Sequence, residues 1–151
     1  MRWTPHVTVA CVVEDQGRFL LVEEYSNNKT VLNQPAGHLE ENETLVAAAV
    51  REVLEESAWE VEVTDLVGFY TYTSPHNNTC YHRHCFVAKP IRFHSDRPLD
   101  PVILGTHWLS IEQIRQQAGQ LRSPMVLKVI EDYLAGIRHP LSVICEESEL
   151  A

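Results

Sequence analysis

Cysteine is scarce and scattered in this chain. Cys11, Cys80, Cys85 and Cys145 lack the density of a disulfide scaffold, so a reducing cytoplasm is the expected setting. Long apolar runs are missing too, and nothing approaches the roughly 18 residues that a membrane-crossing helix needs. The N-terminal "VTVACVV" is short and β-branched, with His6 before it and acids after it. It reads as a buried strand and not as a signal peptide. Positive charge is in short supply, with 12 Lys and Arg against 21 Asp and Glu and a formal net charge of −9. That balance argues against a nucleic-acid polymer or an anionic membrane as a main partner. Any anionic small molecule that binds here must find a local basic pocket or bound cations. Repeats, low-complexity tracts and linker-like shifts are absent as well. The 151 residues are therefore expected to form one domain, residues 1–151, with its own core, and to act as a monomer.

What is present is an ordinary globular balance of 44% hydrophobic and 22% charged residues. Two apolar runs, 6–13 and 18–24, joined by "EDQG", predict an antiparallel hairpin. A short strand near Val31–Gln34 leads into "PAGHLEENE", an acidic loop bearing Pro and Gly. A helix over 44–57 follows, with Thr44 as a candidate N-cap. Residues 61–73 and 80–93 predict long strands, and "GTHWLS" a last one. Ser110 and Gln113 have capping-box spacing for a short helix over 111–117. Ser123 and Pro124 open another helix, whose apolar residues repeat at helical spacing until Gly136 and Pro140. Strands on both sides of one helix, with another helix at the end, predict a mixed sheet between helical layers.

The segment "REVLEES", residues 51–57, poses a physical problem. Glu52, Glu55 and Glu56 occupy about 100° of one helical face, and Glu52 and Glu56 form a repulsive i,i+4 pair. Val46, Val50, Val53 and Leu54 gather on a different side, so the helix is expected to pack one face and present the glutamates on another. A solvated charged face, with Arg51 and Glu55 as an ordinary i,i+4 pair, is the bland account.

The spacing around this segment makes the bland account poor. Gly37, five residues, Glu43, seven residues, then "REVLEESAW" resembles the Nudix box, GX5EX7REUXEEXGU with U a bulky aliphatic residue. The match spans 37–59 and departs at its end, where Ala58 replaces Gly and Trp59 replaces the aliphatic residue. Those two positions close the helix, so its C-terminal geometry is where the departure bears. "PHVTVACVV", "NQPAGHLE" and "LRSP" are similar to the subgroup of NudJ-like bacterial phosphatases, so the resemblance covers most of the chain.

The resemblance implies a single-domain α/β protein, a Nudix α/β/α sandwich with a mixed central sheet. It also implies hydrolysis of phosphoanhydrides in small nucleoside di- and triphosphates or thiamine-pathway diphosphates, with orthophosphate released. Mg²⁺, with Mn²⁺ as a substitute, is the implied cofactor. Hard oxygen ligands suit that ion, which commonly couples one or two carboxylates to substrate phosphates. Glu52, Glu55 and Glu56 look like metal ligands, joined by the Gly37 carbonyl. Arg51 would orient Glu52, and Glu43 would anchor the loop on the helix or lie at the edge of the metal site. Bound cations would also offset the glutamate repulsion. The favoured general base is Glu52. Outside the box the chain has no glutamate between Glu62 and Glu112, so the other candidates are Asp96, Asp100 and Glu112.

Other features compete for attention. "CYHRHC", residues 80–85, holds Zn²⁺-ligating types, but alternation along a strand sends Cys80, His82 and His84 to one face and Tyr81, Arg83 and Cys85 to the other. A zinc-binding interaction domain built there is one alternative; a Nudix-fold module that binds a nucleotide without hydrolysing it is another. Arg83 is a candidate phosphate ligand, with a surface salt bridge as the default expectation. Arg122, beside the capped helix start, is a second candidate. Trp3, Tyr70, Tyr72 and Trp108 are candidates for stacking on a heterocycle, with core packing the commoner fate.

Overall fold

The computed structural model describes residues 1–150. Strands β1 (His6–Asp15) and β2 (Arg18–Ser26) form the expected hairpin. Its turn is tighter than "EDQG" suggested. Glu14 pairs with Phe19 and Asp15 with Arg18, leaving Gln16 and Gly17 to turn, both at positive φ. That is the backbone geometry a two-residue hairpin requires. Strand β3 (Lys29–Asn33) pairs with β2 after a similar turn at Asn27 and Asn28.

The segment expected as an acidic loop contains a strand, β4 (Ala36–His38), antiparallel to β1 from Thr8 to Ala10. Three residues with a central glycine carry no periodicity of their own. The backbone groups find partners only because β1 offers an open edge there.

Helix α1 (Leu45–Ser57) follows, capped as expected by Thr44, whose hydroxyl accepts from the Ala47 N–H at 3.0 Å. At its other end Ala58 adopts the left-handed region, φ 63° and ψ 14°, and its N–H donates to the Leu54 carbonyl. The helix therefore closes as it would with glycine. Strand β5 (Trp59–Thr73) starts at once, two residues earlier than its apolar pattern indicated, with Trp59 packed against Phe93 and Trp108. Strand β6 (Cys80–Phe93) is antiparallel to β5 and parallel to β1. Strand β7 (Ile103–Ser110) pairs with the other edge of β2. The main strand order is β3-β2-β1-β6-β5, mixed as predicted.

Helix α2 (Ile111–Gln116) has the capping box of Ser110 and Gln113, and α3 (Pro124–Leu134) starts at Ser123. Short 3₁₀ turns at 118–120, 141–143 and 147–149 had no sequence signal. The sheet has a core on each face. One joins Val9, Leu20 and Phe86 to Ala48, Ala49 and Val53 of α1. The other joins Val12, Leu21 and Val87 to Ile114 of α2 and to Val126, Val129 and Ile130 of α3. This is the α/β/α sandwich.

One expectation about α1 needs correction. Glu52 and Glu56 are buried, with relative exposures of 8% and 6%. The glutamates do not form a solvated face opposite the apolar one. They face a cavity whose rim shields them, while Val46 and Val50 are only partly buried.

Candidate active site

A cavity of about 1000 Å³ brings α1, β4, the end of β3, β6 and the start of α3 together. Glu52, Glu55 and Glu56 line one wall, with Gly37 and Asp100 beside them. Arg83, Arg122, Lys29 and Asn33 line the other. This acidic protein thus brings cations and carboxylates together in one cavity.

Arg51 organises the acidic wall. Its Nε and Nη2 donate to the two oxygens of Glu43, at 2.6 and 2.9 Å. Nη1 donates to Glu52 at 2.7 Å and to Glu55 at 3.2 Å, and Nη2 also reaches the His38 carbonyl. Glu43 accepts the Glu40 N–H as well. Of the two places offered for Glu43, it takes the anchor of loop on helix. Arg51 does more than orient Glu52, since it ties β4, the loop and two box glutamates into one network. Such bidentate guanidinium–carboxylate geometry is rigid as well as strong. The Glu43 carboxyl is accordingly held below its ordinary range by its bonds to Arg51.

Glu52 and Glu56 differ in how they are held. Burial raises the pKa of Glu52, and the adjacent Arg51 guanidinium opposes that rise. Glu56 has no cation partner; its carboxylate accepts only the Ala36 N–H, at 2.9 Å. Burial pushes its pKa up to about 8, and the charges of Glu24, Glu52 and Asp100 add to the effect. Arg51 thus offsets the repulsion at two of the glutamates, and at the third the repulsion contributes to the raised pKa.

The donor set suits a hard cation. Three carboxylates and the Gly37 backbone supply only oxygen, and Gly37 lies so close to Glu52 that a Cβ there would overlap the carboxylate. As they stand, the side chains are not drawn together: among the described residues, no group of three His, Cys, Asp or Glu is arranged to hold a metal ion. Glu52 accepts from Arg51, and Glu56 from the Ala36 N–H.

Arg83 departs from the surface salt bridge expected by default. It is buried, 4% exposed, and lies within salt-bridge distance of no carboxylate among the described residues. Its Nη2 donates to Asn33 at 2.9 Å and to Gln34 at 3.3 Å, and Nε is buried without a partner. Arg122 pairs with buried Glu24 at 2.7 Å, and its N–H donates to the Leu32 carbonyl. The α3 N-terminus is capped by the Ser123 hydroxyl on the Met125 N–H, and Arg122 lines the cavity together with the first residues of the helix.

Of the three late candidates for the base, Asp100 alone reaches the cavity; its N–H donates to the Glu55 carbonyl at 2.8 Å. Asp96 lies outside it, and Glu112 sits in the first turn of α2. Of the four aromatic candidates, Tyr72 alone lines the cavity, joined by Tyr81. Tyr70 donates to Asp132, Trp108 packs on Trp59, and Trp3 is exposed. The alternation along β6 is as predicted: Tyr81 and Arg83 reach the cavity and Cys85 the α3-side core. On the other face, His84 packs on Phe69 and donates from Nδ1 to the Thr8 carbonyl. Sequence reading missed Glu24, Asn33 and Gln34, polar residues inside or beside apolar runs, whose only signal was that misplacement.

Comparison with known proteins agrees with this fold. The family model described as NUDIX domain matches residues 4–129. Phosphatase NudJ of Escherichia coli strain K12 is 43% identical over 140 residues, 93% of this chain and 90% of that protein. The structure of a NUDIX hydrolase from Nitrosomonas europaea superposes with a TM-score of 0.92 at 42% identity, covering 95% of this chain and 97% of that one. The Nudix domain of Shewanella oneidensis NrtR, complexed with ADP ribose, shares the fold with a TM-score of 0.71 at 17% identity, covering 89% of this chain and 90% of that one.

Proposed function

The chain belongs to the Nudix hydrolase family, and from that premise we propose that it hydrolyses phosphoanhydride bonds of small nucleoside di- and triphosphates or thiamine-pathway diphosphates, releasing orthophosphate. The observation that carries the reading is the cavity itself, with Glu52, Glu55 and Glu56 on one wall and Arg83, Arg122 and Lys29 on the other. Glu52, Glu55, Glu56 and the Gly37 carbonyl are the residues that would hold Mg²⁺, or Mn²⁺ in its place, and such an ion would supply charge neutralisation at phosphate oxygens and a more acidic water.

The chain's own residues do the rest. Glu52 takes the proton of the attacking water; its burial favours proton uptake, and Arg51 keeps its carboxylate oriented. Arg51 and Glu43 keep β4 and α1 in fixed relation, so that the Gly37 carbonyl and the glutamates stay on one wall. Arg83 and Arg122 take the phosphates on the cationic wall. The opening lined by Tyr72 and Tyr81 leaves room for the heterocycle.

A panel of nucleoside diphosphates, nucleoside triphosphates and thiamine diphosphate, assayed with and without Mg²⁺, tests the reading when both orthophosphate and pyrophosphate are measured. Mg²⁺-dependent orthophosphate release is the expected result. Turnover that survives chelation overturns the metal assignment, and inertness toward the whole panel overturns the substrate class.

A further inference from the structure

Arg83 is a permanently charged group sealed in the protein with too few partners. A guanidinium remains protonated and has five N–H donors. Here Nη2 spends both of its bonds on the amide oxygens of Asn33 and Gln34. Nε is buried with no acceptor among the described residues. Asn33 and Gln34 are themselves 8% and 1% exposed, and Gln34 is fixed in turn by donating to the Val126 carbonyl at 2.7 Å. Asn33 also donates to Glu24, which accepts from Arg122. The guanidinium is thus clamped through neutral amides, and no carboxylate shares its charge. An isolated buried charge is costly, and a buried donor left unmade adds to that cost. A fold that only needed a filled core would place an apolar residue there.

The other cavity cations are already paired. Arg51 holds glutamates, Arg122 holds Glu24, and Lys128 holds Asp132. Among the described residues, Lys29 and Arg83 are the lining cations without a carboxylate partner, and Lys29 is exposed where Arg83 is buried. Arg83 is thus the buried lining cation without a carboxylate partner among the described residues.

Resting on the function proposed above, we infer that Arg83, seated by Asn33 and Gln34, receives the terminal phosphate, so that the substrate enters phosphate end first. A terminal phosphate has three free oxygens to offer to the unmet N–H groups of Arg83, and esterification removes one of these and a charge. The rest of the molecule then lies toward the mouth, by Tyr72 and Tyr81. With the terminal phosphorus held at Arg83, the attacking water adds its oxygen there and gives its proton to a cavity carboxylate. The bond from that phosphorus to the bridging oxygen breaks, and its electron pair leaves with the shortened nucleotide. Orthophosphate is the product set by this orientation.

Three measurements on the whole chain test this. Hydrolysis of a nucleoside diphosphate in ¹⁸O-water should put the label in orthophosphate; label in the nucleoside monophosphate means attack at the inner phosphorus and overturns the proposal. The wild-type protein should prefer a nucleoside diphosphate over a diphosphate esterified at both ends. Arg83→Gln should lower kcat/KM for the free-ended substrate by about 10–100-fold, the worth of charge-assisted bonds, and lower that for the esterified one by several-fold less. An equal loss on both substrates assigns Arg83 to structure alone. Calorimetric titration with inorganic phosphate needs no turnover and so separates this inference from the substrate class. Phosphate should bind the wild-type protein, bind Arg83→Lys more weakly, and fail to bind Arg83→Gln. Should Arg83→Gln not fold, Asn33→Ala, which frees the clamp but keeps the charge, should weaken phosphate binding. Undiminished binding in the folded variant overturns the assignment.

Discussion

Helices α1 and α3 lie on opposite faces of the same sheet, and both are capped at their starts by a hydroxyl residue. Their buried faces differ. α3 buries Met125, Val126, Val129 and Ile130, all apolar. α1 buries Ala48, Ala49 and Val53 together with Glu52 and Glu56. One helix buries apolar side chains alone, whereas the other gives part of its buried face to carboxylates that desolvation penalises. Loss of α3 contacts should therefore cost stability, and loss of the α1 carboxylates should cost chemistry.

The largest expected effect lies on α1. Glu52→Gln keeps the shape and the bond accepted from Arg51, but removes the charge and the proton acceptor. The maximal rate at saturating Mg²⁺ should fall at least about a hundredfold, in the range for a lost general base, with a smaller change in KM. Thermal stability should stay near that of the wild type. A variant with near-normal turnover moves the base to Asp100, the other candidate carboxylate that the fold brings into the cavity.

On α3 the converse applies. Ile130→Ala leaves a void among Val126, Val129 and Ile114 and should destabilise the protein by about 2–5 kcal/mol. The folded fraction should keep its kcat, because Ile130 does not line the cavity. Denaturant unfolding alongside active-site-normalised kinetics checks both halves. A drop in kcat without a stability loss would erase the contrast between the helices.

Glu56 sharpens it in the metal-free protein. Its pKa is raised in the folded state to about 8 from an ordinary value of 4.5. The folded state therefore holds the proton more firmly, and this stability is complete below about pH 4.5. It is lost as pH rises toward 8, at about 1.4 kcal/mol per pH unit at the steepest. Glu56→Gln should flatten that slope and leave the chelated protein more stable than the wild type at pH 8. Melting temperatures of both proteins across pH 5–9 in chelator measure it; parallel curves would mean that Glu56 is ionised throughout.

The same contrast explains what was legible in the sequence. Helix starts, the hairpin and the box were visible because caps, turn glycines and fixed spacings act within a few residues. The burial of the glutamates was not visible, since it depends on a rim formed by β4, Asp100 and the start of α3, far apart in the chain. Strand β4 exists only by pairing with β1. Even the α1 N-terminus has a distant partner, the Glu146 carboxylate, which accepts the Leu45 N–H at 3.0 Å. Arg83 was misjudged because arginine is ordinarily exposed, and only the meeting of β3 with β6 supplies the amides that hold it. Arg122 and Glu24 are likewise 98 positions apart and in contact.

The smallest effects concern how the two helices end. Past α3, Gly136 has φ +86°, with nothing within 4 Å of where a Cβ would stand. Past α1, Ala58 has φ +63° and is 2% exposed. In this backbone region glycine is favoured over alanine by about 1 kcal/mol, once strain is set against the entropy of the unfolded chain. Gly136→Ala gains no burial to offset that difference, so it should destabilise by about 1 kcal/mol. Ala58→Gly relieves the strain but removes a buried methyl worth about 0.8 kcal/mol. The two substitutions are therefore not mirror images, and Ala58→Gly should change stability by less than about 0.5 kcal/mol. Equilibrium unfolding in urea resolves the difference. A gain above about 1 kcal/mol for Ala58→Gly would show that the methyl adds nothing to the packing, so that the departure from the box is a plain cost to the fold.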